Sequence, residues 1–314
     1  MVLIELKDVV KEYSRETILN DVNLEIDEGD MYGIIGQSGS GKTTLLNMIT
    51  GFIPPSKGLV LYHSRATGVA HDLADHLPKI KKQIGFTPQH NSFYPKLTIK
   101  ENILHFGRLY GLKKETLLSN AKAILQVTHL WEHKDKLAEH LSEGMQRRLD
   151  IACSLVHKPT ILVLDEPTAD LDPVLQKEIL ALLQDVNKQG VTIVIASHNL
   201  ESIDTLCNKV AVIHKGKVHT HGTIEEVKKP FFKEHFTITM LPGVNKEQII
   251  HNLQALPIDK IVDQGKHLVI YPRNIEKTVT SLLRLIKEEN LYLNDMDMRR
   301  PSLNEIFEAI TKQP

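Results

Sequence analysis

Cysteine is scarce in this chain of 314 residues, where only Cys153 and Cys207 occur. Two cysteines build no disulfide framework, so a reducing cytoplasm suits the chain. Long apolar runs are missing too, and none approaches the roughly 18 residues that a membrane-spanning helix needs. Any action at a membrane would need another chain to supply the spans. Net charge is nearly absent, −1 from 38 Lys and Arg against 39 Asp and Glu. No global field therefore draws the chain to nucleic acid or anionic lipid. The amino terminus, Met1-Val2-Leu3-Ile4-Glu5-Leu6-Lys7-Asp8, alternates and carries charges, which is a strand pattern and not a signal peptide. What remains is ordinary globular composition, 41% hydrophobic and 25% charged. The length suits two domains of about 150 residues each.

The stretch around which the rest is organised is Gly36-Gln37-Ser38-Gly39-Ser40-Gly41-Lys42-Thr43, followed by Thr44. It has the spacing of a phosphate-binding loop, with a buried strand (Met31–Ile35) leading in and a helix leading out. Its glycines let the backbone curl until successive N–H groups point at phosphate, and the helix adds its positive dipole end. Lys42 would reach the β- and γ-phosphates, and the Thr43 hydroxyl would hold Mg²⁺. A glycine-rich turn before a core helix shares some of these residues, but not all eight positions between a strand and a helix.

In chain order, residues 2–6 and 22–26 read as strands with Tyr13 in the polar connection between them. A short strand is expected at Leu59–Leu61. The segment from His63 to His76 shows no periodicity and reads as solvated loop; its histidines lack the cysteines or paired carboxylates of a metal site. Ile84–Thr87 is a strand ending at Pro88-Gln89. Helices are expected after the capping box Thr98-Ile99-Lys100-Glu101, over Glu115–Leu125 and over Gly144–Val156. They interrupt the α/β pattern from about 90 to 158. The pattern resumes with the buried strand Ile161–Leu164 ending in Asp165-Glu166, then a helix capped by Asp172 with Pro173 in its first turn, to Gln189. Another buried strand ends at Ser197-His198, and a hairpin spans Val210–Val218.

In α/β sheets, ligands gather at the carboxyl ends of strands. Here the phosphate loop, Gln89, Asp165-Glu166 and His198 all follow strands, and together they define a nucleoside-triphosphate site. Asp165 is placed to hold Mg²⁺, directly or through water, and Glu166 to activate the attacking water, work that contributes typically 10²–10⁴-fold.

With these residues in view, the chain resembles the nucleotide-binding subunit of ATP-binding-cassette (ABC) transporters over residues 1 to about 225. The most diagnostic segment is Leu141-Ser142-Glu143-Gly144-Met145-Gln146-Arg147-Arg148, which resembles the family signature, usually Leu-Ser-Gly-Gly-Gln. The resemblance implies a P-loop cassette with an inserted helical subdomain, residues 1–228 in all. It implies that Tyr13 stacks on adenine, that Gln89 senses metal and attacking water and links to the membrane partner, and that His198 contacts the γ-phosphate. The segment Ala169–Asp172 would cross a dimer interface. Two cassettes would close head to tail on two ATP molecules, each held between one phosphate loop and the other subunit's Ser142 and Gly144. The expected setting is the inner face of the cell membrane beside a separate polytopic subunit. A soluble cassette ATPase acting on nucleic acid or ribosomes is the alternative. Such proteins usually carry two cassettes or a long coiled coil, and neither is present here.

Glu143 departs from the signature, which has glycine there. Two unit charges about 6 Å apart at an effective dielectric of 20 repel by about 3 kcal/mol, so a carboxylate there weakens closure unless it turns away. Arg147, four residues on, is expected to hold it outward through a pair worth about 0.3–0.5 kcal/mol. The site is expected to stay active.

After Pro230 the texture changes, and residues 229–314 read as a small α+β domain. Strands are expected at Phe236–Met240, Lys260–Asp263, His267–Tyr271 and Leu293–Met298. Helices are expected at Lys246–Leu256, Ile275–Glu289 and Ser302–Ile310, with a turn at Gln264-Gly265-Lys266. The leading order β-α-β-β-α-β is that of a ferredoxin-like unit, which by itself says nothing of function. Both the ending Arg299–Phe307 and the Gly144–Arg148 variant resemble the type-2 exporter branch of the family.

Overall fold

The computed structural model describes residues 1–229 apart from 15 and 66, and residues 235–240, 250–251, 253, 258–263, 267–288, 293–299 and 302–311. The chain divides into two compact units, the second beginning at Lys228.

The first unit is built on a parallel sheet. Strand β3 (Met31–Gly36) is buried at all six positions, as are β7 (Ile161–Asp165) and β8 (Thr192–Ser197). Runs apolar on both faces can only lie in a sheet covered on both sides. The sheet order is β10-β9-β3-β8-β7-β6, where β6 is Ile84–Thr87, β9 Lys209–His214 and β10 Lys217–Thr223. All neighbours are parallel except the β9–β10 hairpin. A second, antiparallel sheet runs β2-β1-β4-β5, comprising β1 (Val2–Tyr13), β2 (Glu16–Asp27), β4 (Lys57–His63) and β5 (Ala70–Asp72). Helix α1 (Lys42–Ile49) lies between the two sheets. Its Leu45, Leu46, Met48 and Ile49 are fully buried in one cluster with Leu6 and Leu24 of the antiparallel sheet and Val163 and Val194 of the parallel one.

A helical subdomain follows β6, with α3 (Ile99–Leu109), α4 (Lys114–Val127) and α5 (Glu143–Leu155). Ile99, Ile103, Leu117, Leu125, Leu149 and Cys153 close their own core. The Thr98–Glu101 capping box is formed in both directions. Helix α6 (Pro173–Lys188) starts on its Asp172 cap.

Two expectations are overturned here. Tyr13 is not in a connection between short strands, because β1 runs on to Tyr13, opposite Glu16. Register shifts beside Asp8, whose φ is 51, break the period-2 alternation that would have shown the strand's second half. The stretch from His63 to His76 is loop only between β4 and β5. It holds β5, pairing Asp72 with Leu61, and α2 (Leu73–Ile80), capped by the Asp72 side chain. Pro78 inside α2 and the kink at His76 hide this helix from a sequence reading. Short α7 (Leu200–Leu206), capped by Asn199, was also not expected. A last short helix, α8 (Ile224–Lys228), follows β10.

In the second unit, β11 (His235–Met240), β12 (Ile258–Asp263), β13 (His267–Pro272) and β14 (Leu293–Arg299) form an antiparallel sheet in the order β12-β13-β11-β14. Helices cover Ile275–Glu288 and Leu303–Thr311, with Leu282, Leu303 and Ile306 buried. That order suits a split βαβ unit. The expected helix Lys246–Leu256 falls largely, and the turn Gln264-Gly265-Lys266 wholly, outside the described residues. Among the described residues no helix is long and apolar enough to cross a membrane.

Candidate functional site

Strands β3, β8, β7 and β6 are consecutive neighbours in one parallel sheet. Whatever follows their carboxyl ends must therefore meet along one edge. These followers are the phosphate loop, His198, Asp165-Glu166 and Gln89. They surround a cleft of about 640 Å³, lined also by Tyr13, Ser38, Gly39, Gly41, Thr43 and Thr44. Ile18, at the start of β2, lines it as well and was not picked out from the sequence. A single apolar residue gives no signal of its own in the sequence.

The loop is held by its own backbone. Ser40 N–H donates to the Gln37 carbonyl at 3.1 Å, and Gly41 caps α1 at φ 103. A Cβ at Gly41 would come within 2.7 Å of Leu19 Cδ2, so both conformation and space exclude a side chain. Lys42 is folded back on the loop and donates to the Gly36 carbonyl at 2.8 Å and the Gln37 carbonyl at 3.2 Å. Burial pulls its ammonium pKa down, and the Glu166 and Asp165 carboxylates push it up. The Ser40 hydroxyl is buried with no partner among the described residues.

Opposite Lys42, the Thr43 hydroxyl donates to Asp165 Oδ2 at 2.7 Å. Burial raises the Asp165 carboxyl above the usual range, the Thr43 bond lowers it, and nearby Glu166 raises it further. Glu166 sits at φ 49, a left-handed conformation that costs a side-chain-bearing residue roughly 1–3 kcal/mol and clusters at functional sites. The turn is fixed by Glu166 N–H donating to the Ala196 carbonyl at 2.9 Å. Glu166 Oε1 lies 2.9 Å from His198 Nδ1, and Oε2 accepts from the Ser197 hydroxyl at 3.1 Å. The carboxylate is thus held from behind by β8, with the exposed imidazole at the mouth of the cleft.

Three expected site residues stand apart from this cleft. Ser142 caps α5, accepting from Met145 N–H at 3.4 Å. Gly144 is buried in the first turn of α5, and a Cβ there would meet Leu175 Cδ2 of α6 at 2.7 Å. Asp172 accepts from Val174 and Leu175 N–H at 2.8 and 3.0 Å. None of the three lines the cleft within one chain.

Arg147 corrects the sequence reading. It is buried and makes no pair with the exposed Glu143. Its Nε donates to the Pro167 carbonyl at 2.8 Å, and Nη2 donates to that of Glu166 at 2.5 Å and more weakly to that of Asp165 at 3.4 Å. Nη1 donates to the carbonyls of Pro88 at 3.0 Å and Gln89 at 3.4 Å. Helical spacing to Glu143 suggested a surface pair, because i,i+4 says nothing about which residue faces the core.

The comparisons agree with this geometry. Residues 19–169 match the ABC transporter family, and residues 222–311 match the ATP-binding protein DrrA1-3-like C-terminal domain. The chain is 28% identical to the linearmycin resistance ATP-binding protein LnrL of Bacillus subtilis, over 98% of either chain. It is 36% identical to the methionine import ATP-binding protein MetN of Latilactobacillus sakei, over 83% of this chain and 78% of that one. Among solved structures, a dimeric ATP-binding cassette in a post-hydrolysis state with ADP and Pi superposes with a TM-score of 0.61. It is 30% identical, and the match covers 71% of this chain and 99% of that one.

Proposed function

The chain belongs to the ABC transporter family as an ATP-hydrolysing subunit, and we propose that it powers export through a separate membrane-spanning subunit. The observation that carries export over import is the length of the match. Likeness to the Nod factor export ATP-binding protein I of Ralstonia nicotianae covers 98% of this chain and 94% of that one, whereas the match to the methionine import protein covers 83% and 78%. The alternative of a soluble ATPase on nucleic acid finds no support in these relatives. The expected setting is the cytoplasmic face of the cell membrane, where ATP is supplied.

In this reading the adenine of ATP rests on Tyr13. The loop amides from Gly36 to Gly41, with Gln37, Ser38, Gly39 and Ser40, surround the phosphates, and the α1 amino terminus carries Thr43 and Thr44 beneath them. Lys42 leaves its carbonyls for the β- and γ-phosphates. The residues fit Mg²⁺: Thr43 and Asp165 offer hard oxygen ligands that already touch at 2.7 Å, and Gln89 lines the same cleft. When bound, the ion supplies charge neutralisation between the phosphates. Glu166 accepts a proton from water as its oxygen attacks the γ-phosphorus, the bond to the β-bridging oxygen breaks, and ADP leaves with its charge. His198 keeps Glu166 oriented and meets the γ-phosphate.

Ser142 and Gly144 stand at a helix amino terminus, which suits an anion. Because they do not line their own chain's cleft, their ligand is the γ-phosphate on a second copy, with Asp172 at the crossing. Closure on ATP and opening after hydrolysis form the two-state output.

The test is affinity purification of this chain from detergent-extracted native membranes. Recovery of a polytopic protein in equal amount supports the reading. Recovery only in the soluble fraction, bound to ribosomes or nucleic acid, overturns it and leaves the ATPase chemistry standing.

A further inference from the structure

One face of α5 bonds the segment from Phe86 to Ser92, which carries Gln89. Gln146 Oε1 accepts from Asn91 Nδ2 at 2.8 Å. Arg147 donates to the Pro88 and Gln89 carbonyls. Asp150 Oδ1 accepts from both the N–H and the hydroxyl of Ser92, at 2.9 and 2.8 Å. Ser154 Oγ donates to the Phe86 carbonyl at 2.8 Å and accepts from the Thr87 hydroxyl at 2.9 Å. Positions 147, 150 and 154 recur every three or four residues, which is one stripe of a helix.

The same guanidinium turns its remaining donors to Asp165, Glu166 and Pro167. Arginine has five N–H donors in a rigid fork. Here each of the five meets a backbone carbonyl, two from the Gln89 loop and three from the Glu166 turn. The buried cation thus makes all its hydrogen bonds to carbonyls, and the carboxylates of Asp150, Asp165, Glu166 and Asp170 offset the burial of its charge. No other side chain among the described residues bonds both of these loops in the hydrogen bonds given above.

We propose that Arg147, backed by Asp150, is a positioning residue that makes the Gln89 loop and the Glu166 turn move as one body with the helix starting at Ser142. The proposal rests on the ATPase reading of the cleft. It gives that site a route by which any tilt of α5 changes where Glu166 and Gln89 stand. Arg147 does not line the cleft and bonds only to residues 88–89 and 165–167, so it acts on turnover and not on nucleotide affinity. Lysine cannot replace it, because three donors on one nitrogen cannot span two loops.

The experiment measures kcat, KM for ATP and hydrogen–deuterium exchange on the full chain for wild type, Arg147→Lys, Arg147→Met and Ser92→Ala. For Arg147→Lys, kcat is expected to fall at least 30-fold, about 2 kcal/mol of barrier, with KM changed less than threefold. Exchange should quicken at residues 86–92 and 165–167 and stay slow in α1 and β3. Arg147→Met should be lower still, and Ser92→Ala should lose three- to tenfold in kcat with faster exchange at 86–92 only. A kcat within threefold of wild type in Arg147→Lys overturns the proposal. So does a joint change of kcat, KM and exchange across the cassette, which marks a merely structural residue. Should Arg147→Met fail to fold, Arg147→Lys and Ser92→Ala still decide, and unchanged exchange in both overturns it. Wild type without ATP turnover would instead sink the ATPase reading, while exchange still reads the clamp.

Discussion

Thr43 and Asp165 lie 122 residues apart and meet hydroxyl to carboxylate at 2.7 Å, joining the first turn of α1 to the end of β7. This bond favours the charged form of a carboxylate that burial otherwise disfavours. Thr43 and Asp165 are the residues that would hold Mg²⁺, which would neutralise charge on the phosphates there. Asp165→Asn is expected to lower ATP turnover at least 100-fold while nucleotide binding without Mg²⁺ stays within a few fold. Chelation of Mg²⁺ should stop wild-type turnover. Steady-state kinetics with equilibrium binding checks both, and full activity in chelator would refute the metal assignment.

Glu166→Gln keeps the size and loses the base. Turnover is expected to fall 10²–10⁴-fold, with ATP still bound and a two-copy complex accumulating on gel filtration. His198→Ala should fall less, because Ser197 Oγ still donates to Glu166 at 3.1 Å. Equal turnover in Glu166→Gln and wild type would remove Glu166 from the chemistry.

Gly144 separates packing from ligand approach. A Cβ there meets Leu175 at 2.7 Å, so Gly144→Ala is expected to cost about 1–3 kcal/mol of unfolding free energy. Adding Leu175→Ala should recover part of that loss in chemical denaturation. Turnover that returns with stability would make packing the whole reason for the glycine. Turnover that stays low would leave the phosphate approach as the reason.

Glu143 stands exposed with Arg147 engaged elsewhere, so its carboxylate is free to turn to solvent. Glu143→Gly is expected to raise ATP turnover less than tenfold. A hundredfold rise would mean that the native carboxylate blocks closure.

Much of this was legible because special residues announce themselves. The phosphate loop, the Thr98 box and the Asp172-Pro173 start follow from backbone chemistry that few residues supply. The four strand ends were readable because fully buried parallel strands have no polar face to confuse them. What escaped was decided by tertiary context. The bulge at Asp8 reset the alternation of β1, and Pro78 masked α2. Arg147 reads as a surface cation until Pro88, Glu166 and Pro167 are folded around it. A buried arginine that bonds only carbonyls leaves no partner residue in the sequence to betray it.

His157 gives the fold an acid sensitivity separate from the cleft. Its ring stacks on Tyr110 at 3.5 Å, with Nε2 at 3.2 Å from the Ile84 carbonyl, where the neutral ring's N–H donates. Nδ1 is buried without a partner among the described residues, and burial pushes the pKa down to about 4. A base with a lowered folded pKa is neutral in the fold and protonated in the unfolded chain between the two values. Stability from His157 is therefore complete above about pH 6.5 and lost as pH falls towards 4, by up to about 1.4 kcal/mol per unit. Burial raises the carboxyls of Asp150 and Asp165, which act in the opposite sense and favour the fold as pH falls. The His157 contribution must then be read as a difference. His157→Phe keeps the stack on Tyr110 and loses the Ile84 bond. It is expected to be about 1 kcal/mol less stable than wild type at pH 7, and level with it or better near pH 4.5. Urea unfolding at both pH values checks this, and parallel stability curves for the two proteins would show that His157 is protonated in the fold as readily as in the unfolded chain.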